Sequence, residues 1–358
     1  MPGIYVKSGG VYKLPSSIFV KDSGSWKTVQ QAWIKDSGTW KQVFPYLNWT
    51  YQSGLASTAW GSSEPVYGIA AGSSNFCAVG NSARVATTTD GVTWTYQSSL
   101  SATTWGTSSS VFAIAWNGSI YCVGGLLGKI ATSPDGATWT YRSSLSSGTW
   151  GNQPVRAIVW SGSKFLAVGD NGRAATSSDG ITWTYQSGLS ATAWGTNGAL
   201  SATWDGSQFC VGGTLGKIAT SPDGVTWTYR SGLASTSFGA ENVYGLAWGN
   251  SKFVAVGILG RTATSPDGIT WTYQSGLSST AWGTNNVYTV QWNGSQFLVL
   301  GDSGAAAISF DGVTWTYQSG LSATAWGSAV SAQGYAIVWS SATGYIVGGN
   351  TARVATAT

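Results

Sequence analysis

The 358-residue sequence contains no histidine, only two glutamates (Glu64 and Glu241), one methionine and three cysteines. Lack of histidine removes Ser/His and Cys/His nucleophilic pairs and histidine-bound metals. Charged residues make up 8% of the chain, and no run of Ala, Leu, Glu and Lys favours a long helix. No apolar run approaches the roughly 18 residues that cross a bilayer as a helix. The opening MPGIYVKSGG has neither the apolar core nor the cleavage site of a secretory signal, so synthesis and folding in a cytoplasm are expected.

Glycine and aromatics are abundant instead: 50 Gly, 22 Trp, 16 Tyr and 10 Phe. That composition points to an all-β protein rich in tight turns. Its organising feature is a W-T-Y segment whose tryptophan recurs at Trp49, Trp94, Trp139, Trp183, Trp227, Trp271 and Trp315, every 44 or 45 residues. Such a period signals a repeat architecture. Each unit reads as four strands. In the first, these are VYGIAA (66–71), NFCAVG (75–80), RVATTT (84–89) and VTWTYQS (92–98), and SLSATTWGTSSS (99–110) crosses to the next unit. In VFAIAW the alternation puts Phe112, Ile114 and Trp116 on one face and Ala113 and Ala115 on the other.

Repeated four-stranded units of this length predict a seven-bladed β-propeller over residues 48–358. Trp49 has no strands of its own blade before it, and the chain stops at TARVATAT (351–358), a third strand with nothing after it. The N-terminal W-T-Y strand is therefore expected to complete the last blade, removing the edge an open array would expose. Cys77, Cys122 and Cys210 share one repeat position with Leu166, Val254, Leu298 and Ile346. They read as small core residues rather than as a disulfide framework.

Residues 1–47 repeat differently, with a period of 14: VKSGGVYKL (6–14), VKDSGSWKT (20–28) and IKDSGTWKQ (34–42). Each reads as a β-hairpin, with Tyr12, Trp26 and Trp40 forming one apolar stripe. A lone hairpin is marginal in water, so attachment or oligomerisation is expected of this module. The motif V-K-x-G-G-x-W-K resembles hairpin repeats at the ends of phage tail and virion structural proteins. That resemblance implies a virion location, with other tail or virion proteins as partners. Residues 1–48 carry the whole net charge of +4 and the remainder is neutral, which argues against a nucleic-acid partner.

The turn between third and fourth strands reads TTDGVTW, SPDGATW, SSDGITW, SPDGVTW, SPDGITW and SFDGVTW. It resembles the Asp-box, or bacterial neuraminidase repeat, S-x-D-x-G-x-T-W, with one residue fewer between Asp and Gly. The resemblance implies a structural turn role for Asp90, Asp135, Asp179, Asp223, Asp267 and Asp311. One carboxylate per turn is too few for calcium, and no metal or cofactor is expected. A sialidase-like hydrolase needs paired acids or a Tyr–Glu pair with an arginine cluster, and Glu64 and Glu241 lie in non-equivalent places.

The expected binding surface is the crossover. It carries Trp60, Trp105, Trp150, Trp194, Phe238, Trp282 and Trp326. Beside it, after the second-to-third strand turns, stand Arg84, Lys129, Arg173, Lys217, Arg261 and Arg353. An aromatic next to fixed donors suits a sugar ring. The alternative is that each tryptophan plugs the gap between blades and each base caps carbonyls. The sequence thus leads to a non-enzymatic virion protein presenting a multivalent surface, host-cell glycan being the candidate ligand. A purely structural scaffold of the particle and a sialidase-like glycoside hydrolase are the alternatives.

Overall fold

In the computed structural model each W-T-Y segment is the outer strand of a four-stranded antiparallel sheet, and there are seven such sheets. The structure describes residues 47–358 except 144, 146–148 and 330, and the strand backbones within residues 6–44. The chain divides into two units, Met1–Asn48 and Trp49–Thr358.

In the first unit three hairpins pair Val6–Ser8 with Val11–Lys13, Phe19–Asp22 with Ser25–Thr28, and Ala32–Asp36 with Thr39–Phe44. The 14-residue period is kept in register: Lys7 stands opposite Tyr12, Lys21 opposite Trp26 and Lys35 opposite Trp40. The stripe expected of Tyr12, Trp26 and Trp40 concerns side chains outside the described residues.

The second unit is a seven-bladed β-propeller. Blade 1 comprises Val66–Ala71, Phe76–Gly80, Val85–Thr88 and Thr95–Tyr96. Inner strands of successive blades touch one another around the ring, and Gly334–Ser340 of blade 7 touches Val66–Ala71 of blade 1. Closure is by strand exchange between the two ends of the unit. Val354–Ala357 pairs with Trp49–Gln52, Val354 opposite Gln52 and Ala357 opposite Trp49. Gln52 Nε2 also donates to Thr356 Oγ1 at 2.9 Å. The core lies between blades: Leu166, Val168 and Ala174 of blade 3 pack against Trp194, Phe209, Val211 and Trp227 of the next unit.

Three local departures from the sequence reading have physical causes. The fourth strand of blade 1 is Thr95–Tyr96 rather than 92–98, because the turn extends into it. Asp90 Oδ1 accepts the N–H groups of Val92 and Thr93, both at 2.8 Å, and holds them out of the ladder. The same pair of bonds recurs at Asp135, Asp179, Asp223, Asp267 and Asp311. Second, crossovers contain single helical turns at Ser99–Ala102, Gly188–Ala191 and Gly320–Ala323.

Third, every inner strand carries a register shift after its first residue, as between Val66 and Gly68 or Val111 and Ala113. Phe112 is therefore the extra residue of a β-bulge. It does not belong to the alternation that grouped it with Ile114 and Trp116. A bulge re-aims the side chain it carries.

Two measurements test this frame. A chain starting at Gly54 leaves Val354–Ala357 as a bare edge; its melting temperature should fall by at least about 5 °C relative to a chain starting at Asn48. Equal melting would mean that the exchanged strand does not close the ring. The turn carboxylates give the second. N–H bonds from Thr93 and Val92 hold Asp90 down at about 2. At the other five, partial burial pushes the carboxyl up, but the N–H and hydroxyl bonds outweigh it and the net shift is downward. Folded values below the unfolded one mean stability that is present above about pH 4 and lost as pH falls toward 2. Unfolding by acid in that window, followed by tryptophan fluorescence, should be blunted by changing Asp135, Asp179 and Asp223 together to Asn.

Candidate functional site

The crossover tryptophans do not face solvent. Trp60, Trp105, Trp150, Trp194, Trp326 and Phe238 are 0% exposed and Trp282 is 1%. Each indole N–H donates to a carbonyl a few residues ahead, from Trp150 to Gln153 at 2.7 Å to Trp326 to Ala332 at 3.3 Å. The rings lie against the glycine ending the second strand of the same blade. A Cβ built on Gly213 would stand 2.6 Å from Trp194 and 2.1 Å from the Gly198 carbonyl. A ring enclosed this way offers no face to a sugar, so the expected glycan platform is corrected: these residues plug the interior.

The bases that follow are tied down at the same places. Lys129 Nζ donates to the Trp105 carbonyl and to Ser109 Oγ. Lys217 Nζ donates to the carbonyls of Ala193 and Trp194 at 2.6 and 3.0 Å. Arg84 bonds the Ala59 carbonyl and Arg261 the Phe238 carbonyl. Arg173 donates to the Tyr185 hydroxyl at 2.9 Å and Arg353 to Thr351. Burial lowers the Lys129 ammonium below its ordinary value. Four of these cations bond crossover groups, Arg173 bonds the outer strand of its own blade, and Arg353 bonds within its own turn. The twelve residues expected to form sugar sites do not assemble one.

A different set of side chains converges. The bulged residues of blades 1 to 7 are Tyr67, Phe112, Arg156, Leu200, Tyr244, Tyr288 and Tyr335. All seven are half-buried and line one cavity of about 500 Å³, whose remaining walls are also inner-strand residues such as Ser201, Gly245 and Thr289. They stand at the crossover end of the strands, since Val66 pairs with Gly80 just before the turn that the crossover covers. Ring centroids follow one another at 5.3 Å (Phe112–Tyr67), 5.6 Å (Tyr67–Tyr335), 5.2 Å (Tyr335–Tyr288) and 5.4 Å (Tyr288–Tyr244).

No protein-family model matches the chain, and no curated protein matches it by sequence. Solved structures do match. The chain is similar to Ycf48 from Cyanidioschyzon merolae, with 16% identity, a TM-score of 0.63, and 86% of this chain and 98% of that one covered. Ycf48 bound to a D1 peptide gives 17%, 0.66, 87% and 97%. The WD40 β-propeller domain of Doa1 gives 14%, 0.62, 86% and 97%. The likeness is one of fold.

Polar groups around the cavity are held in place. Arg156 lies 5.0 Å over the Phe112 ring and makes two bonds to Asp170, at 3.0 and 2.8 Å. Asp302 accepts from the Tyr288 hydroxyl at 2.9 Å, Gln333 Nε2 at 2.8 Å and the Asn286 N–H at 3.0 Å. Tyr335 donates to Gln333 Oε1. Burial raises the phenols of Tyr67, Tyr288 (to about 12) and Tyr335, so they stay protonated. Sequence reasoning missed this ring because its row of seven reads as a mixture rather than a motif. The visible signal was four tyrosines and an arginine directly after the first residue of each inner strand.

The two groups of residues should respond differently to truncation. Trp194→Ala empties a fully enclosed site and should destabilise the propeller by about 3–5 kcal/mol. Tyr335→Ala, half-buried in the cavity wall, should cost less, about 1.5 kcal/mol or below. Denaturant unfolding of both variants measures the contrast.

Proposed function

We propose that the protein is a non-enzymatic, virion- or phage-tail-associated binding protein. Residues 1–47 attach it to the particle, and the propeller engages its ligand at the crossover end of the central channel. The observation that carries the reading is the seven-membered bulged ring around the 500 Å³ cavity. A pocket of that size, walled by aromatics with a few placed polar groups, is the usual form of a ligand site.

A second feature of the same end supports it. Leu127, Leu215 and Leu259 occupy the left-handed region at φ 60°, 59° and 57° and are 46%, 51% and 41% exposed. A left-handed leucine costs roughly 1–2 kcal/mol, and here its side chain gains little burial within the propeller. Contact with a partner on this end would offset both terms. Of the acids beside the cavity, Asp170 and Asp302 are already engaged by Arg156 and by three donors, and Glu64 accepts from Asn81 Nδ2 at 2.8 Å. Such prior engagement of all three disfavours their use as a general acid and base. Attachment through residues 1–47 rests on the V-K-x-G-G-x-W-K hairpins, and the Asp-box likeness adds only a turn role.

The test is competition. Purified residues 48–358 should block adsorption of particles carrying this protein to host cells, and the ring variant Tyr67→Ala/Tyr335→Ala should block it at least about tenfold less well. Incorporation into particles with no effect on adsorption would favour the scaffold reading instead.

A further inference from the structure

The ring is not uniform, and its asymmetry narrows the ligand. Five consecutive blades, 5, 6, 7, 1 and 2, contribute Tyr244, Tyr288, Tyr335, Tyr67 and Phe112 as an unbroken aromatic arc. Blades 3 and 4 close it with Arg156 and Leu200. The cation in the ring is already charge-paired: Asp170 takes two of its five donors and Phe112 lies under its face. Both oxygens of Asp302 are likewise filled. An anionic ligand would compete with Asp170 for the Arg156 charge and approach Asp302 and Glu64. A cationic one would meet Arg156 within the same wall.

With the Arg156 charge balanced by Asp170, the hydroxyls the cavity leaves unspent are neutral. The Tyr67 hydroxyl has no hydrogen-bond partner among the described residues. Tyr244 receives only a 3.4 Å bond from Asn242 and keeps its proton to give. Apolar ring faces beside free phenol hydroxyls match a pyranose, which has apolar C–H faces and equatorial hydroxyls. A half-buried donor left unpaired gains most from a ligand that supplies the missing acceptor. The volume suits one or two sugar rings.

Resting on the binding reading above, we infer that the channel mouth binds one neutral saccharide end per propeller. Its sugar ring stacks on the arc from Tyr244 to Phe112, and its hydroxyls are read by Tyr67 and Tyr244. The site is single and axial, unlike seven lateral sites on the crossovers.

The full chain is titrated by calorimetry and saturation-transfer NMR with glucose, galactose, N-acetylglucosamine, cellobiose, lactose and chitobiose. The anionic arm is 3′-sialyllactose and the cationic arm is trilysine. At least one neutral sugar should bind with one site per chain. Tyr335→Ala should weaken it about tenfold or more, and Tyr67→Phe, which keeps the ring and removes the hydroxyl, by about three- to tenfold. Lys217→Ala, beside the crossover and outside the cavity lining, should leave affinity unchanged. No neutral sugar binding up to roughly 10 mM, seven sites per chain, equal affinity in the ring variants, or preference for sialyllactose or trilysine would each overturn the inference. If propellers block adsorption but bind none of these sugars, this inference falls and the binding reading stands. Sugar binding without an effect on adsorption gives the reverse.

Discussion

A four-stranded blade has two apolar faces and no means of covering either by itself. In this chain each face is covered by the next blade, so burial of any one interface presumes its neighbours, and the series has to return to its start. Pairing of Val354–Ala357 with Trp49–Gln52 satisfies that condition. The seam between blades 7 and 1 then holds Trp60, Phe76, Ala336, Ile346 and Val354 in one cluster, equivalent to the seams elsewhere. Without closure the apolar faces of blades 1 and 7 and a row of unpaired backbone groups would meet water together.

That constraint explains why the most conspicuous residues turned out to be structural. A crossover must leave an outer strand and reach the next inner strand while sealing the wedge between blades. The tryptophan fills the wedge, and its N–H closes the loop on a carbonyl. Glycine at the end of the second strand lets the ring sit directly on the backbone, and in blades 2, 4 and 5 the following lysine or arginine donates to a crossover carbonyl. All of these act in stabilising the seams, and large enclosed aromatics are where most of that stabilisation resides.

The period, the four strands per unit, the blade number and the exchanged strand were legible in the sequence because each follows from spacing and from counting strands at the two ends. Side-chain direction was not. A buried Trp194 and an exposed one read identically as letters, since aromatic plus base plus hydroxyls fits a sugar site and an interblade plug equally well. The burial of its neighbours decides between them, and burial depends on packing. Likewise the alternation of VFAIAW gave Phe112 a face, but one inserted residue against Gly124 and Gly125 removed it from that face. A bulge arises from pairing with another strand, which the strand's own pattern does not encode.

The bulge also accounts for the diversity at that row. Residue 67 and its equivalents take no regular place in the ladder and none in the wedge between blades. Repeats that keep tryptophan at all seven W-T-Y positions could therefore diverge here to Tyr, Phe, Arg and Leu without loss of closure. Freedom alone would not arrange them. Tyr288 and Tyr335 are pinned through Asp302 and Gln333, and Arg156 through Asp170, partners that belong to the equally variable turns and crossover ends. Supporting hydrogen bonds thus fix three of the seven ring residues in a set geometry, while Tyr67 and Tyr244 keep their hydroxyls largely unspent.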